Sequence, residues 1–472
     1  DPACGSGAFL IQAMDALAAR LCEIRYQGES PTDEQLRAAR RDVVTKCIHG
    51  VDLNPMAVEL CKFTLWLHVA HPELPLSYLE PVIVCGNALV GVPLKAQVER
   101  EKKRLAEERE LVKKRTDLTP RQRQSALKKL EYVGWPDSIP DEAFNPVTGD
   151  DAGVARLLKR RNKEEREGQL SLPFHREETQ RELRSQKYLK FKQLSEHNIE
   201  AQRQKRELYE RWRDDEDTKR QLFEADFWCS AFFWRSEVDG DAPTHHRFRE
   251  IKEENANAQT TSYWNDGLTQ QIRNLARLPE PGDPQSSGLG FFHWELEFPD
   301  VDEQRGFDCI LGNPPWESLQ LEEQEFFLQR APEIAELEGG ARKSAIDNLL
   351  ASNPTLHEEF VSAQQQMAAT TKFARESGCY PLTAVGKLNT YPLFAERVRS
   401  MVASLGRAGI LLPPGLATDD GNKDFFGDLV ATQSLESFLG MDNEGAPPIF
   451  PGIDHRNKFS IIVMTGDRKS VV

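Results

Sequence analysis

The stretch that most constrains this chain is GFDCILGNPPW, which runs from Gly306 to Trp316. Its residues 307–311 form a short apolar run that is typical of a buried strand in a parallel sheet. The strand must end at Gly312, because the two prolines that follow Asn313 lack backbone N–H groups. An amide side chain, free carbonyls and a large ring therefore collect at the carboxyl end of a strand, where open α/β sheets bind ligands.

These groups suit a planar ligand that carries an amino group. The side-chain oxygen of Asn313 and the carbonyl of Pro314 can each accept an N–H, and Trp316 offers a ring for stacking. The alternative interpretation is a proline-rich turn after a strand, because Asn-Pro is also a common turn signal. The remainder of the chain has to decide between the two.

The composition describes a globular chain with an unusually polar part. The 472 residues leave room for more than one domain, and no run of 18 apolar residues that would predict a transmembrane helix occurs. None of the eight cysteines forms a Cys-x-x-Cys pair, which indicates neither a zinc site nor a disulfide framework and fits a reducing cytoplasm. The net charge of −15 argues against a simple nucleic-acid-coating protein, although residues 95–220 carry 32 basic and 26 acidic side chains.

The first residues, DPACGSG, form a glycine-rich loop that runs directly into an amphipathic helix. Such a loop lets backbone amides approach a ligand at a helix start. A loop of this kind ordinarily follows a buried strand, so we expect the chain to be a fragment that begins at the end of its first strand. One glycine loop alone is weak evidence, because many turns look similar.

Two further strands end in polar or small residues. The first runs from Cys47 to Asp52, and Asn54 with Pro55 then predicts the start of a helix that is apolar nearly all round and therefore buried. An acid at this position can bind ribose hydroxyls, although it could also be a helix-entry residue. The second strand, residues 82–85, ends in GNAL. Together the strand ends predict an α/β fold with a doubly wound, nucleoside-binding sheet.

With these strand ends in hand, the chain resembles the DNA amino-methyltransferases that use S-adenosylmethionine and modify adenine at N6. It is most similar to the large restriction–modification and phage-defence enzymes, of the type IIG, BREX-like or DISARM-like kinds. The resemblance implies a Rossmann-like class I methyltransferase sheet. The segments that carry it are DPACGSGAFL (1–10), GVDLNPMAVELCK (50–62), GNAL (86–89), FDCILGNPPW (307–316), LNTYPLF (388–394), GILLPPGLATDD (409–420) and FPGIDHRNKFSIIVMTG (450–466).

The resemblance also implies roles for individual residues. Asp52 would bind the ribose hydroxyls and Leu53 would pack on the adenine ring of the cofactor. Many relatives carry an acid where Asn87 lies, so the exact partner of this amide is open. The residues expected to bind S-adenosylmethionine are Asp1, Ala3, Gly5, Gly7, Asp52, Leu53, Asn87 and Ala88.

By the same resemblance, Asn313, Pro314, Pro315 and Trp316 form the catalytic motif for an adenine flipped out of double-stranded DNA. No histidine or glutamate base is required, and no metal site is expected. Two alternatives stay open. The acceptor could be a protein glutamine or an RNA, or the chain could be a non-catalytic scaffold with a methyltransferase fold. Defence-system or specificity subunits are candidate partners, and no membrane contact is expected.

About 200 residues between Val92 and Phe291 exceed what the sheet needs. They predict charged, solvent-exposed helices, either a solvated helical hairpin or a basic arm that contacts DNA phosphates or a partner subunit. The apolar segment 223–234 predicts the helix that docks them onto the core, and His293 and Glu295 are expected to be structural. The expected divisions are 1–94 (cofactor-binding core without its first strand), 95–290 (helical insertion), 291–330 (strand with NPPW), 331–385 (helical segment, a candidate lid) and 386–472 (C-terminal core).

Overall fold

A computed structural model gives the architecture of the chain. It describes residues 1–71, 73–115, 118–168, 177–236, 240–256, 266–278, 288–303, 306–444, 449–450, 454 and 457–466. Part of the 450–466 motif, residues 451–453 and 455–456, therefore lies outside the described residues.

The described strands form two sheets. The first is a parallel pair, in which Val51 faces Val84. The second has four strands in the order β3-β4-β6-β5, with β3 and β4 parallel and the other two pairings antiparallel. The strands are β1 (Gly50–Asp52), β2 (Ile83–Cys85), β3 (Phe307–Gly312), β4 (Val402–Leu412), β5 (Leu435–Asp442) and β6 (Lys458–Thr465).

Helices make up most of the described chain. Before β3 they are α1 (Ala8–Arg25), α2 (Asp33–Lys46), α3 (Pro55–Val69), α4 (Lys95–Lys114), α5 (Pro120–Lys129), α6 (Ala152–Gly168), α7 (Glu177–Lys192), α8 (Ile199–Asp214), α9 (Glu216–Phe233), α10 (His245–Ala256), α11 (Gly267–Ala276), α12 (Trp294–Glu297) and α13 (Pro299–Glu303). After β3 they are α14 (Glu323–Leu328), α15 (Pro332–Ala335), α16 (Gly339–Ser352), α17 (Pro354–Glu376), α18 (Thr390–Met401), α19 (Gly415–Thr418) and α20 (Lys423–Ala431).

The two sheets lie on either side of the N-terminal segment. The carbonyl of Asp1 accepts the N–H of Val51 in β1 at 3.0 Å, and the N–H of Cys4 donates to the Val51 carbonyl at 2.9 Å. The carboxylate of Asp1 lies beside Gly312, where an added Cβ would be 2.7 Å from Asp1 Oδ1. The structure thus confirms an α/β chain, but its strands form two small sheets and not one continuous hydrogen-bonded sheet.

Helix α3 differs from its prediction. One face of the helix is buried, as expected, and carries Val58, Cys61 and Leu65. Its opposite side, however, presents large apolar side chains that are at least half exposed, namely Met56, Leu60, Phe63 and Leu67. The prediction of a helix buried all round was therefore wrong, because an apolar composition does not identify which face contacts the core.

The insertion shares a hydrophobic core with the four-stranded sheet. Helix α9 buries most of its second half, including Phe227, Trp228 and Phe232, in one cluster with Ile310 of β3 and Ile410 of β4. This confirms that the apolar segment docks the insertion. The long helices carry the expected i,i+3 and i,i+4 ion pairs, such as Glu101–Arg104–Glu108 and Arg161–Glu165.

Two smaller features complete the fold. The helices between β3 and β4 have a core of their own, built around Phe327, Leu349 and Phe360. His293 and Glu295 are structural, as expected, since they accept the backbone N–H groups of Val92 at 3.2 Å and Lys95 at 2.7 Å. Among the described residues, no helix has the length and apolar character needed to cross a membrane.

Candidate active site

Asp52 joins the N-terminal loop to the end of β1. Its Oδ2 accepts the N–H of Gly5 at 2.8 Å, and its Oδ1 accepts the N–H of Asn54 at 2.9 Å. A carboxylate has about four acceptor positions, so two hydrogen bonds leave capacity for a ligand. Asp52 is partly exposed at the carboxyl end of the strand. The ribose-binding role of Asp52 therefore stays a prediction, and its hydrogen bond to Asn54 also fits the alternative of a helix-entry residue.

The two glycines of the loop, Gly5 and Gly7, share a backbone conformation but have different surroundings. Both have positive φ, +52° at Gly5 and +88° at Gly7, a region that residues with a Cβ rarely adopt. A Cβ at Gly5 would meet nothing within 4 Å, so the loop borders open space at this residue. A Cβ at Gly7 would lie 2.9 Å from the sulfur of Cys61. The loop is thus open to a ligand at Gly5 and packed against α3 at Gly7.

The end of β2 lies next to Asp52. The N–H of Gly86 donates to the Asp52 carbonyl at 2.9 Å. The side-chain oxygen of Asn87 accepts the N–H of Leu89 at 3.1 Å, which fixes the orientation of the amide. Among the described residues, no partner binds the amide nitrogen of Asn87. Ala88 is buried, and its carbonyl accepts the indole N–H of Trp294 at 3.0 Å.

The sequence prediction missed Gly290, which lies beside this strand end. Its carbonyl accepts the N–H of Asn87 at 2.7 Å, and a Cβ added to it would lie 3.6 Å from Leu53 Cδ1. The φ of Gly290 is +63°. The closely spaced glycines Gly288 and Gly290 were a signal for tight backbone approach, but nothing in the sequence paired them with residues 200 positions earlier. Leu53 itself is 51% exposed.

The NPPW motif follows directly on the end of β3. Asn313 is exposed, and within the described part of the chain its side chain has no hydrogen-bond partner. Pro314 is buried, Pro315 is exposed, and the ring of Trp316 is 40% exposed. An unpaired amide and, three residues later, an accessible indole are therefore available to a ligand at this edge of the sheet.

Asp1 brings the two groups of residues together. Its Oδ1 accepts the N–H of Ala3 at 3.0 Å and lies next to Gly312, the residue before Asn313. Because Asp1 also pairs with β1, it lies between the carboxyl ends of β1 and β3. The contacts of Asp1 thus connect the N-terminal loop and β1, which carry predicted cofactor residues, with Gly312, which precedes the predicted catalytic motif.

Comparison with known proteins agrees with this geometry. The family model for Eco57I restriction-modification methylases matches residues 46–347, more than half of the chain. The chain belongs to this family. The N-6 DNA Methylase model additionally matches residues 1–74, which contain the N-terminal loop and Asp52. The two family matches therefore cover both halves of the candidate site.

Two curated relatives of this Eco57I-family chain are restriction enzymes by name. One is "Putative type II restriction enzyme and methyltransferase RM.MjaORFECS2P" of Methanocaldococcus jannaschii, 24% identical over 331 residues that cover 68% of this chain and 22% of that protein. The other is the type II restriction enzyme and methyltransferase RM.Eco57I of Escherichia coli, 29% identical over 107 residues, 19% of this chain and 11% of that protein. The chain thus spans less than a quarter of either relative. No solved structure matches it.

Proposed function

We propose that this chain is the methyltransferase part of a site-specific DNA adenine N6-methyltransferase of a restriction–modification system. The observation that carries the proposal is the exposed, unpaired amide of Asn313 beside Trp316 at the end of β3. Membership of the Eco57I family supports the same reaction class. The names of the two relatives favour a type II enzyme in which methylation and cleavage are combined over a BREX-like or DISARM-like system.

We further propose that the two sheets are parts of one doubly wound, Rossmann-like arrangement. The parallel pairs β1–β2 and β3–β4 present their carboxyl ends at one edge, with Asp1 between them. The ring of His49, just before β1, also packs edge-on against Phe307 of β3 with the ring centroids 5.6 Å apart. Ligands of open α/β sheets bind at such a crevice.

The residues at this crevice fit S-adenosylmethionine. Asp52 has acceptor positions for ribose hydroxyls, and the partly exposed Leu53 can pack on a purine. The amide nitrogen of Asn87 can donate to a ring nitrogen, since its oxygen is already engaged by Leu89. The open space at Gly5 accommodates the methionine end next to Asp1, Ala3 and Gly7. The bound cofactor supplies an electrophilic methyl group on its sulfonium.

The NPPW residues orient the acceptor base. In this proposal, the Asn313 side-chain oxygen and the Pro314 carbonyl accept the two N6 hydrogens of a flipped adenine, while Trp316 stacks on its ring. Accepting both N–H groups increases electron density on N6 and aims its lone pair at the methyl group. Positioning and fixed dipoles then provide most of the rate enhancement. Pro315 restricts the backbone so that the Pro314 carbonyl is not used by a neighbouring strand.

The remaining segments have supporting roles in the proposal. Residues 1–94, 291–330 and 386–472 form the methyltransferase core, and residues 331–385 form a cover near the target base. The ion pairs along α4 and α6 favour a solvated scaffold over a DNA-binding arm for residues 95–290, because their arginines already have acidic partners. DNA is the proposed partner, with defence-system or specificity subunits as further candidates.

The test uses the complete protein encoded by the gene, S-adenosylmethionine labelled on its methyl group, and duplex DNA. Digestion to nucleosides followed by mass spectrometry should show label in N6-methyladenine, and Asn313→Ala should abolish it. Label in N4-methylcytosine, in RNA or in protein glutamine would contradict the proposed acceptor. Cofactor binding with no methyl transfer to any acceptor would favour the scaffold alternative.

A further inference from the structure

One threonine hydroxyl is bonded to both peptide groups that flank Trp316. Thr390 Oγ1 donates to the carbonyl of Pro315 at 2.6 Å and accepts the N–H of Glu317 at 3.0 Å. These are the peptide groups immediately before and after the indole-bearing residue. Fixing both restricts the backbone rotations that aim the Trp316 side chain. Such a bridge does not depend on Trp316 itself, so the ring remains free to contact a ligand.

The two hydrogen bonds of the Thr390 hydroxyl add to backbone hydrogen bonds that join the same two segments without it. The N–H of Thr390 donates to the Glu317 carbonyl at 2.8 Å, and the N–H of Leu319 donates to the Leu388 carbonyl at 2.9 Å. Ser318 pairs with Asn389 in an antiparallel bridge. The segment after Trp316 therefore stays attached to the start of α18 when the hydroxyl is removed. What the hydroxyl adds is the position of the Pro315 carbonyl and the Glu317 N–H.

Because Thr390 is buried, its hydroxyl has a fixed position from which it can hold the loop. Thr390 is 8% exposed at the first position of α18, and the residues that follow it, Tyr391 to Leu393, are buried. A buried side chain on a packed helix has one orientation, so its oxygen is a fixed point for the loop. Without that oxygen, the Pro315 carbonyl and the Glu317 N–H lose the partner that fixes their orientation, since water at these exposed residues satisfies them without holding the loop in one position.

We propose that Thr390 is a positioning residue for the catalytic motif, which sets Trp316 and the preceding carbonyls for the target base. This inference rests on the proposed function, because it assigns Thr390 a role in that reaction. Thr390 needs no contact with the base or the cofactor for this role. It acts through the loop 313–317, and it connects the LNTYPLF segment to the NPPW motif, two segments about 75 residues apart.

The variants are Thr390→Val, which keeps the shape and removes the hydroxyl, and Thr390→Ser, which keeps the hydroxyl. Thr45→Val is the matched control, because Thr45 is 9% exposed and, in the described part of the chain, its hydroxyl forms hydrogen bonds only within α2, to the carbonyls of Arg41 and Asp42. In the complete enzyme, we expect Thr390→Val to lower the single-turnover methylation rate about 10- to 100-fold, since a displacement of about 1 Å can cost about 100-fold. Its Kd for S-adenosylmethionine should stay within about twofold of wild type. Thr390→Ser should keep its rate within about threefold, and Thr45→Val should match wild type.

Two readouts follow the loop directly. The first is fluorescence of 2-aminopurine at the target position, which should report weaker stacking of the flipped base in Thr390→Val. The second is the ¹⁹F resonance of 5-fluorotryptophan at position 316, assigned with Trp316→Phe, which should shift in Thr390→Val and not in Thr45→Val. A merely structural role would move the cofactor Kd and the stability while leaving these two signals in place.

A Thr390→Val enzyme with wild-type rate and an unshifted Trp316 resonance would overturn the inference. So would a tenfold loss in Thr390→Ser, because that variant retains the bridging oxygen. If no protein, including wild type, methylates DNA while the Trp316 resonance still shifts in Thr390→Val, the proposed function fails and takes the catalytic role of Thr390 with it, although Thr390 still orients the Trp316 loop. The two hypotheses are thus separated by the same set of proteins.

Discussion

In the proposed function Asn313 and Asp52 serve different steps, and single substitutions should separate them. Asn313→Ala removes the acceptor for the amino group without touching the cofactor loop. We expect methyl transfer to fall at least about 100-fold, as for the loss of a preorganised hydrogen-bonding group elsewhere, with the cofactor Kd within about twofold. Asn348→Ala, at an exposed asparagine of α16, is the control. Radiolabelled methyl transfer measures the rate, and a variant with more than a tenth of wild-type activity would be incompatible with this role.

Asp52→Asn should act on binding instead. The amide nitrogen of the new side chain must face either Gly5 N–H or Asn54 N–H, two donors that the carboxylate now satisfies. We therefore expect the cofactor Kd to rise about 10- to 100-fold, the cost of one or two hydrogen bonds to a charged group. Isothermal titration calorimetry measures this, with Asp42→Asn on the remote face of α2 as control. A Kd within twofold of wild type would remove Asp52 from the cofactor site.

The sequence predicts the position of a single residue when the residues next to it in the chain define a strand end or a helix start. Asp52 and Asn313 follow apolar strands and precede helix or proline signals, so their positions at strand ends could be inferred. Thr390 and Gly290 could not be assigned a role, because their partners Pro315 and Asn87 lie 75 and 203 residues away. Only the fold brings those atoms together.

At the scale of elements, the glycine loop offers a paired test. Both Gly5→Ala and Gly7→Ala force a Cβ into positive φ, at about 1 kcal/mol each. Only Gly7→Ala also places that Cβ 2.9 Å from Cys61 Sγ. We expect Gly7→Ala to lower the free energy of unfolding by at least about 1 kcal/mol more than Gly5→Ala does. Urea denaturation measures both.

The same pair has an internal control. In a Cys61→Ala background the contact at position 7 disappears, so Gly7→Ala should then cost about as much as Gly5→Ala. If the two substitutions were equal in the wild-type background, packing of the loop against α3 would not contribute to its geometry.

A buried cluster connects α7 to the start of β1 and should make stability depend on pH. Lys192 Nζ lies 2.9 Å from His49 Nε2 and pairs with Asp300. Burial and the nearby Lys192 charge lower the pKa of His49 below its ordinary value. Burial alone would raise the pKa of Asp300, but hydrogen bonds and charges from His49 and Lys192 outweigh it and lower that pKa.

The direction in which stability changes with pH follows from proton binding to the folded and unfolded chain. As pH falls below about 6.5, the unfolded histidine takes up a proton before the folded one does, so acidification favours unfolding. Asp300 adds a second loss below about pH 4 for the same reason. We expect the free energy of unfolding to fall between pH 7.5 and 5, and His49→Gln to flatten this dependence. Urea titrations at both pH values provide the measurement, and an unchanged slope in His49→Gln would exclude a buried neutral His49.

Element prediction succeeded where local chemistry decides. The side chain of Asn54 caps α3 ahead of Pro55, as the two residues predict. It failed for the outer face of α3, where Met56 and Leu67 are exposed. Local patterns specify that a helix forms, whereas burial of a given face depends on which element packs against it.

For the whole molecule, the shared core predicts that the insertion and the four-stranded sheet unfold together. Trp228 of α9 is fully buried in the cluster that contains Ile410 and Phe373. We expect Trp228→Ala to cost about 3–5 kcal/mol and to speed hydrogen exchange in β4 as well as in α9. Exchange that accelerates in α9 alone would show that the insertion is an independent unit. The sequence predicted the docking helix, but it did not predict that this helix packs in one cluster with residues 373 and 410.

In the proposed function, the protein methylates adenine in DNA and uses the NPPW motif to orient the base. The most direct measurement expresses the complete gene in a methylation-free host and maps modified bases by single-molecule sequencing. We expect N6-methyladenine at one recurring sequence with the wild-type protein and none after expression of Asn313→Ala. Unmodified DNA from a wild-type protein that binds S-adenosylmethionine, or the same methylation pattern from Asn313→Ala, would contradict it.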